Sequence, residues 1–250
     1  PVVEIIPDDL RKEFFARAND EQIAYQPMNR LMGQIKDMDH RMYIIAEADK
    51  YELAGVDPKK ILARAKSVEE YRKALFKKDD DGELTWTLGM YGTQAMADDV
   101  GLSLEEYWQQ IIDACFLEED DPIAKWKEVY AEMYDFRDKL NALRIESVHV
   151  QWEDADLHVQ IGNKRLWKTG SGCNIPSFEI FTSPDWRGTN GWIRFNQPLY
   201  YNSNIIEGIQ LWFEDGIVVK SSATKNEALL KEMLAQENAN KAGEYSLTDR

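Results

Sequence analysis

A chain of 250 residues with 44% hydrophobic and 30% charged side chains has the make-up of a soluble globular protein with room for two modest domains, which excludes a disordered or fibrous chain. Its formal net charge of −15, with acidic runs at Asp79–Asp81 and Glu118–Asp121, opposes contact with a phosphate backbone or anionic lipid and removes nucleic acid and membrane from the expected partners. No apolar run approaches the roughly 20 residues that span a bilayer, and Cys115 and Cys173 have neither Cys-x-x-Cys spacing nor a second pair, so no zinc knuckle or disulfide framework is indicated and a reducing, cytoplasmic setting fits.

The first 145 residues read as helices interrupted by a few apolar strands. Leu10, Phe14 and Ala18 make a short amphipathic stripe, and Met42 to Ala46 is a compact apolar run suited to a buried strand. Asp57-Pro58 opens a helix carrying Ile61, Leu62 and Ala65, with Asp as N-cap and Pro in the first turn. Ser67-x-x-Glu70 has the form of a capping box for a helix through Tyr71 and Leu75, and Leu84 to Tyr91 alternates as a strand. Ser103-x-x-Glu106 is a second capping box. Behind it Leu104, Tyr107, Trp108, Ile111, Ile112 and Cys115 share one helix face, with Cys115 as an apolar filler. Asp121-Pro122 starts the longest helix, whose Ile123, Trp126, Tyr130, Met133, Leu140 and Leu143 form one stripe over about six turns, read as a brace between two halves.

From Ser147 the period changes to that of strands. Val148, Val150 and Trp152, then Leu157, Val159 and Ile161 after Glu153–Asp156, describe a β-hairpin. Gly191 to Phe195 is a further strand, and Ile209, Leu211 and Phe213 run into the Asp215-Gly216 turn, answered by Ile217 and Val219. Thr224-x-x-Glu227 has the capping form for a helix through Leu229, Leu230, Met233 and Leu234, with Gly243 as its stop. The expected fold is therefore an α/β part over 1–145 followed by a mixed, mostly antiparallel β-rich domain over 146–250, a two-domain α/β plus α+β arrangement.

One stretch aims a carboxylate. Gly170 to Asn174 is turn chemistry, Pro176 fixes φ, and Phe178-Glu179-Ile180-Phe181 follows as a short strand that sends Glu179 to the face opposite Phe178 and Ile180. Glu244 repeats the placement, directly after Gly243 and before an extended segment. On residue type alone an exposed Glu on an edge strand, or a rim Glu near the chain end, explains each as well. His149 and His158 share the polar face of the hairpin, where a cross-strand surface pair is preferred to a metal clasp, and no His-x-x-x-His is present. Gly-x-Ser-x-Gly, P-loop and dinucleotide fingerprints are also absent from the sequence.

In order along the chain, Asp120-Asp-Pro-Ile-Ala-Lys-Trp126, Ala155-Asp-Leu-His-Val159, Asn174-Ile-Pro-Ser-Phe-Glu-Ile-Phe-Thr182, Glu207-Gly-Ile-Gln-Leu-Trp-Phe213 and Ala242-Gly-Glu-Tyr245 resemble the aminopeptidase T / aminopeptidase S family of bacterial metallo-aminopeptidases, the thermophilic metalloprotease family. The resemblance implies an α/β first domain and a second domain holding two divalent ions (Zn, Co, Mn or Mg) with carboxylates, histidines, an aspartate and a tyrosine. Glu179 matches the first carboxylate ligand and Glu244 the second, a candidate bridge between both ions. It further implies a peptide substrate and a homodimer. In the family the remaining ligands follow the Gly-Glu motif, so they are expected beyond Arg250, and the start Pro1-Val-Val-Glu suggests an internal portion of such an enzyme.

The function implied is release of amino-terminal residues from peptides by a two-metal activated water. The alternative is a non-catalytic two-domain module that presents Trp186, Trp192, Tyr200 and Tyr201, near Asn196, Asn202 and Asn204, to a peptide or sugar.

Overall fold

The computed structural model describes residue 3 and residues 8–49, 51–170, 172–201 and 204–248; Pro1, Ser171, Asn202 and Arg250, named above, lie outside these. Two compact units form: Pro1–Asp113 with Gly172–Ile175, and Ala114–Ser171 with Pro176–Arg250. The hydrophobic period changes near 145, whereas compactness divides the chain at Asp113/Ala114, so the longest helix belongs wholly to the second unit.

The first unit runs α1 (Asp8–Arg17), α2 (Asp20–Ala24), α3 (Met28–Asp37), β1 (His40–Ile45), α4 (Pro58–Ser67), α5 (Glu69–Asp80), β2 (Thr85–Met90), α6 (Gln94–Asp99) and α7 (Leu104–Ala114). Phe15, Ala18, Ile23, Leu53 and Ile61 form one buried cluster. Basic side chains close the helix ends around it. Lys60 Nζ donates to the carbonyls of Phe15 (3.1 Å) and Ala18 (3.4 Å), and Arg64 to those of Ile23 (3.2 Å) and Tyr25 (2.7 Å). Lys78 does the same for Ile35 and Met38 at the end of α3. These carbonyls carry the negative end of the helix dipole, so a cation there both satisfies acceptors and offsets charge.

β1 and β2 pair in parallel, His40 with Thr85 through to Ile45 with Met90. On the far side of β2, Leu88 N donates to Cys173 O at 3.0 Å, and Leu88 bridges Asn174. The expectation of a buried β1 fails: Met42 and Ile44 are 68% and 56% exposed. A parallel strand is buried when layers cover both its faces. Here Tyr43 faces a cleft of about 270 Å³ shared with Leu75, Phe76, Trp86 and Leu88, and the opposite face of β1 is open.

The caps divide into those that form and those that do not. Asp57 accepts from Lys59 N and Asp121 from Ala124 N, both at 2.9 Å. Ser103 and Glu106 exchange both bonds of a capping box (2.8 and 3.2 Å), and the Ser103 amide and hydroxyl, which both donate to the Glu106 carboxylate at 2.8 Å, hold that carboxyl below its ordinary pKa. Ser67-x-x-Glu70 is not a capping box: Ser67 ends α4 and its hydroxyl donates to Arg64 O at 2.7 Å. Thr224 likewise donates to Glu207 O (2.9 Å), so the following helix starts without a side-chain cap at Asn226. Cys115 lies one residue past α7 rather than on it, half-buried, with its carbonyl accepting from Trp126 Nε1 at 3.0 Å. Burial raises the Cys115 thiol pKa.

The second unit contains α8 (Pro122–Leu143), β3 (Ser147–Trp152), β4 (Ala155–Gln160), β5 (Lys168–Thr169), β6 (Ile180–Thr182), a 3₁₀ turn (Trp186–Gly188), β7 (Asn190–Arg194), β8 (Leu199–Tyr201), β9 (Asn204–Ile206), β10 (Gln210–Glu214), β11 (Ile217–Ser222), α9 (Glu227–Leu234) and β12 (Tyr245–Leu247). Five strands form an antiparallel sheet in the order β11-β10-β7-β4-β3, and β12-β6-β5 form a second. Alternation buries Ala155, Leu157 and Val159 on one face of β4. α9 packs Leu229 and Leu230 on Ile206 and Ile209, and it ends at Leu234, well before the Gly243 expected to stop it. On α8 the buried residues are Trp126, Val129, Met133 and Leu140, while Ile123 and Leu143, assigned to the same stripe, are exposed near the helix ends.

The Asp215-Gly216 turn forms as the sequence predicts, with both residues at positive φ, the geometry that matches the twist of a two-residue hairpin. Gly191 is a tighter constraint. Its φ is +111°, and a Cβ there would lie 2.0 Å from the Asp156 carbonyl of the neighbouring strand. Replacing Gly191 with Ala should therefore cost at least about 2 kcal/mol, from backbone strain and a forced separation of β4 and β7. Equilibrium urea unfolding checks this; a variant as stable as wild type would contradict the close approach.

Candidate metal centre

The small sheet β12-β6-β5 carries both predicted ligands at its margins. β6 begins at Ile180, two residues later than Phe178, so Glu179 directly precedes it, half-buried; Glu244 directly precedes β12 and is exposed. Phe178 packs against Phe116 (centroids 6.3 Å) and Trp126 (5.3 Å) of the same unit, which holds the backbone just before Glu179.

Side chains around β5 support this sheet. Asn141 of α8 grips the backbone of Trp167 twice, accepting from its N–H at 2.9 Å and donating to its carbonyl at 3.2 Å. Thr182, 1% exposed, donates to Leu166 O at 3.1 Å. The buried Trp167 ring meets the Tyr245 ring edge to face at 6.0 Å, beside Glu244 in sequence. Gly170 approaches Ser177 so closely that a Cβ would lie 3.1 Å from its Oγ, which narrows the neck of the loop leading to Glu179.

The register sets the separation of the two carboxylates. Tyr245 pairs with Thr182 and Leu247 with Ile180, so Glu179 and Glu244 stand at opposite ends of the ladder. That is about four residues, on the order of 13 Å along the strand, and an even offset keeps both positions on one face. Carboxylate oxygens are suitable donors for hard or borderline divalent ions. Two of them make at most a partial set, and neither belongs to a convergent group of three or more His, Cys, Asp or Glu among the described residues.

The one convergent group of three among the described residues lies elsewhere, at His149, Asp156 and His158, all exposed. The cross-strand histidine pair expected from the sequence is present: His149 and His158 are direct partners in β3 and β4, with rings stacked at 3.8 Å. Asp156 was the residue missed. Its signal was available, because it precedes His158 by two on a strand and so shares its face.

Residues 2–250 match the model of the family described as thermophilic metalloprotease (M29). Aminopeptidase PepS of Streptococcus thermophilus is 27% identical over 266 residues, covering 98% of this chain and 64% of that protein. Aminopeptidase AmpS of Bacillus subtilis (strain 168) is 31% identical over 216 residues, covering 78% of this chain and 52% of that protein. Among solved structures, wild-type AmpT from Thermus thermophilus superposes with a TM-score of 0.81 at 26% identity over 96% of this chain and 64% of that one. The chain thus spans between half and two thirds of the length of these relatives. The two-part fold, α/β then β-rich, agrees with that likeness, and the binding-module reading gains no support from it.

Burial raises the Tyr245 phenol above its ordinary pKa. The neutral phenol is thus favoured in the fold, and its contribution to stability is complete below the unfolded value of about 10 and lost as pH rises through the folded value. Wild type should lose stability relative to Tyr245→Phe above about pH 10; parallel denaturation curves for the two proteins from pH 8 to 11 would refute this.

Proposed function

The chain belongs to the thermophilic metalloprotease (M29) family, and on that premise we propose that it supplies part of the centre of a metal-dependent aminopeptidase, which removes amino-terminal residues from peptides. The family match over residues 2–250 is the observation that carries this reading. The pairing of β6 with β12, which ties the Glu179 and Glu244 positions to one ladder, is consistent with it. Glu179 and Glu244 would hold the ions, proposed as a divalent pair drawn from Zn, Co, Mn and Mg. When bound, such a pair polarises the scissile carbonyl and acidifies a water.

The chain's own residues have definable tasks. The two carboxylates contribute negative charge where cations are to be held, with Glu179 partly withdrawn from solvent on a backbone fixed by Phe178 and Ile180. A net charge of −15 steers the cationic α-ammonium of a peptide toward the protein at low ionic strength. A cytoplasmic location, in keeping with the cysteine usage, a homodimer, by the family resemblance, and a division into working parts at 1–145 and 146–250, drawn from the change of hydrophobic period, complete the proposal.

Glu179→Gln and Glu244→Gln keep size and remove ligand charge. In the whole protein that carries this sequence, each should lower peptide hydrolysis at least about a hundredfold even at saturating metal, with circular dichroism unchanged. Activity within a few-fold of wild type at saturating metal would remove both residues from the centre. Two carboxylates fall short of the about three protein ligands that even one catalytic zinc takes. The 250-residue chain alone is therefore expected to show no metal-stimulated release of amino-terminal residues, and turnover by it would show that the ligand set is another one.

A further inference from the structure

We propose that His149, Asp156 and His158 form a second divalent-metal site, on the exposed face of the β3–β4 hairpin and independent of Glu179 and Glu244. Three features of the sheet assemble it. Strand alternation puts Asp156 and His158 on one face of β4. Antiparallel register then sets His149 of β3 directly opposite His158. The imidazoles stack at 3.8 Å with an interplanar angle of 11°, which brings their ring nitrogens side by side. His149 Nε2 already stands 2.7 Å from Asp156 Oδ1, and one ligating atom from each of the three residues lies within 4.8 Å of the others.

Bonds of about 2.1 Å to one ion place neighbouring donors about 3.0–3.4 Å apart. The Asp156–His149 contact of 2.7 Å is a few tenths of an ångström shorter than that range and opens to it as the ion replaces the shared hydrogen, and the widest separation closes to it by small rotations of exposed side chains. The opposite face of β4 is rigid by contrast, with Ala155, Leu157 and Val159 buried, so the backbone under the site does not have to move. Two imidazoles and one carboxylate select a borderline transition ion such as Zn²⁺, Co²⁺ or Ni²⁺ over Mg²⁺ or Ca²⁺. The remaining coordination positions face solvent. β3 is the edge of its five-stranded sheet, so an ion here would clasp that edge strand to β4.

The sequence makes the test simple, because it contains three histidines and the third, His40, is engaged with Thr85 Oγ1 at 2.7 Å in the other unit. Zn²⁺ titrated into the 250-residue chain and followed by imidazole proton resonances should shift two of three signals, those lost in His149→Ala and His158→Ala, and leave His40 in place. Each alanine variant, and Asp156→Asn, should weaken Zn²⁺ binding at least tenfold while keeping the wild-type circular dichroism; the Glu179→Gln/Glu244→Gln double variant should bind as wild type does. The proposal is overturned if neither signal moves, if Mg²⁺ moves them equally, or if the double variant alone loses the binding. Because the two ligand sets are disjoint, loss of activity in the glutamate variants and loss of this site are separate results.

Discussion

The pairing of β12 with β6 is the constraint on which the second unit depends. It joins residues 180–182 to residues 245–247, and the chain between them includes the sheet strands β7, β10 and β11 and the helix α9. Bringing together segments so distant in sequence carries a closure entropy that the contacts of the sheet have to offset. What makes the closure hold is local support already present on one side: Asn141 fixing Trp167, Thr182 fixing Leu166, and the Trp167 ring ready to receive Tyr245. A carboxylate margin at each end of the ladder is thus a product of the whole unit rather than of either short strand.

Charge is used unevenly. Ion pairs such as Lys73–Glu69, Lys139–Asp135 and Lys231–Glu227 lie on exposed helix faces, where solvent screening leaves each worth little. Lys60, Arg64 and Lys78 act differently, because their donors reach backbone carbonyls at helix ends near the first unit's core. The buried Glu52 follows the same logic in reverse: it meets Arg11 at 3.4 Å and accepts from the Lys12 amide at 3.3 Å. In an acidic chain, the few well-placed cations do more to hold the helices together than the surface pairs do.

Local chemistry was legible in the sequence where its partners are local. Asp57, Asp121 and Ser103 cap as their spacing predicts because the amides they serve lie within three residues. Ser67 and Thr224 have equally good spacing, yet their hydroxyls are claimed by the carbonyls of Arg64 and Glu207, and the second of those partners comes from another strand end. The hairpins were readable from alternation and the Asp-Gly turn, whereas the strand order β11-β10-β7-β4-β3 was not, since nothing in a strand's own residues names its neighbour. Motif resemblance pointed to Glu179 and Glu244, but their positions at opposite ends of one ladder depend on a register no local pattern encodes. Asp156 carries a weaker signal of its own: it pairs with Gln151 across the hairpin rather than with a histidine, and only strand alternation puts it on the face of His158.

The Gly172–Ile175 segment has a topological effect. The chain leaves the second unit, contributes Cys173 and Asn174 to the edge of β2, and returns at Pro176. The two units are therefore joined by three covalent crossings instead of one, and a gene cut between Asp113 and Ala114 would not divide them cleanly. The first piece would lack a stretch of its own sheet edge, and the second would carry that stretch as an unpaired loop immediately before Glu179. Any recombination that exchanges one unit between relatives must exchange this four-residue insert with it, so the two halves are coupled in inheritance as well as in chain path.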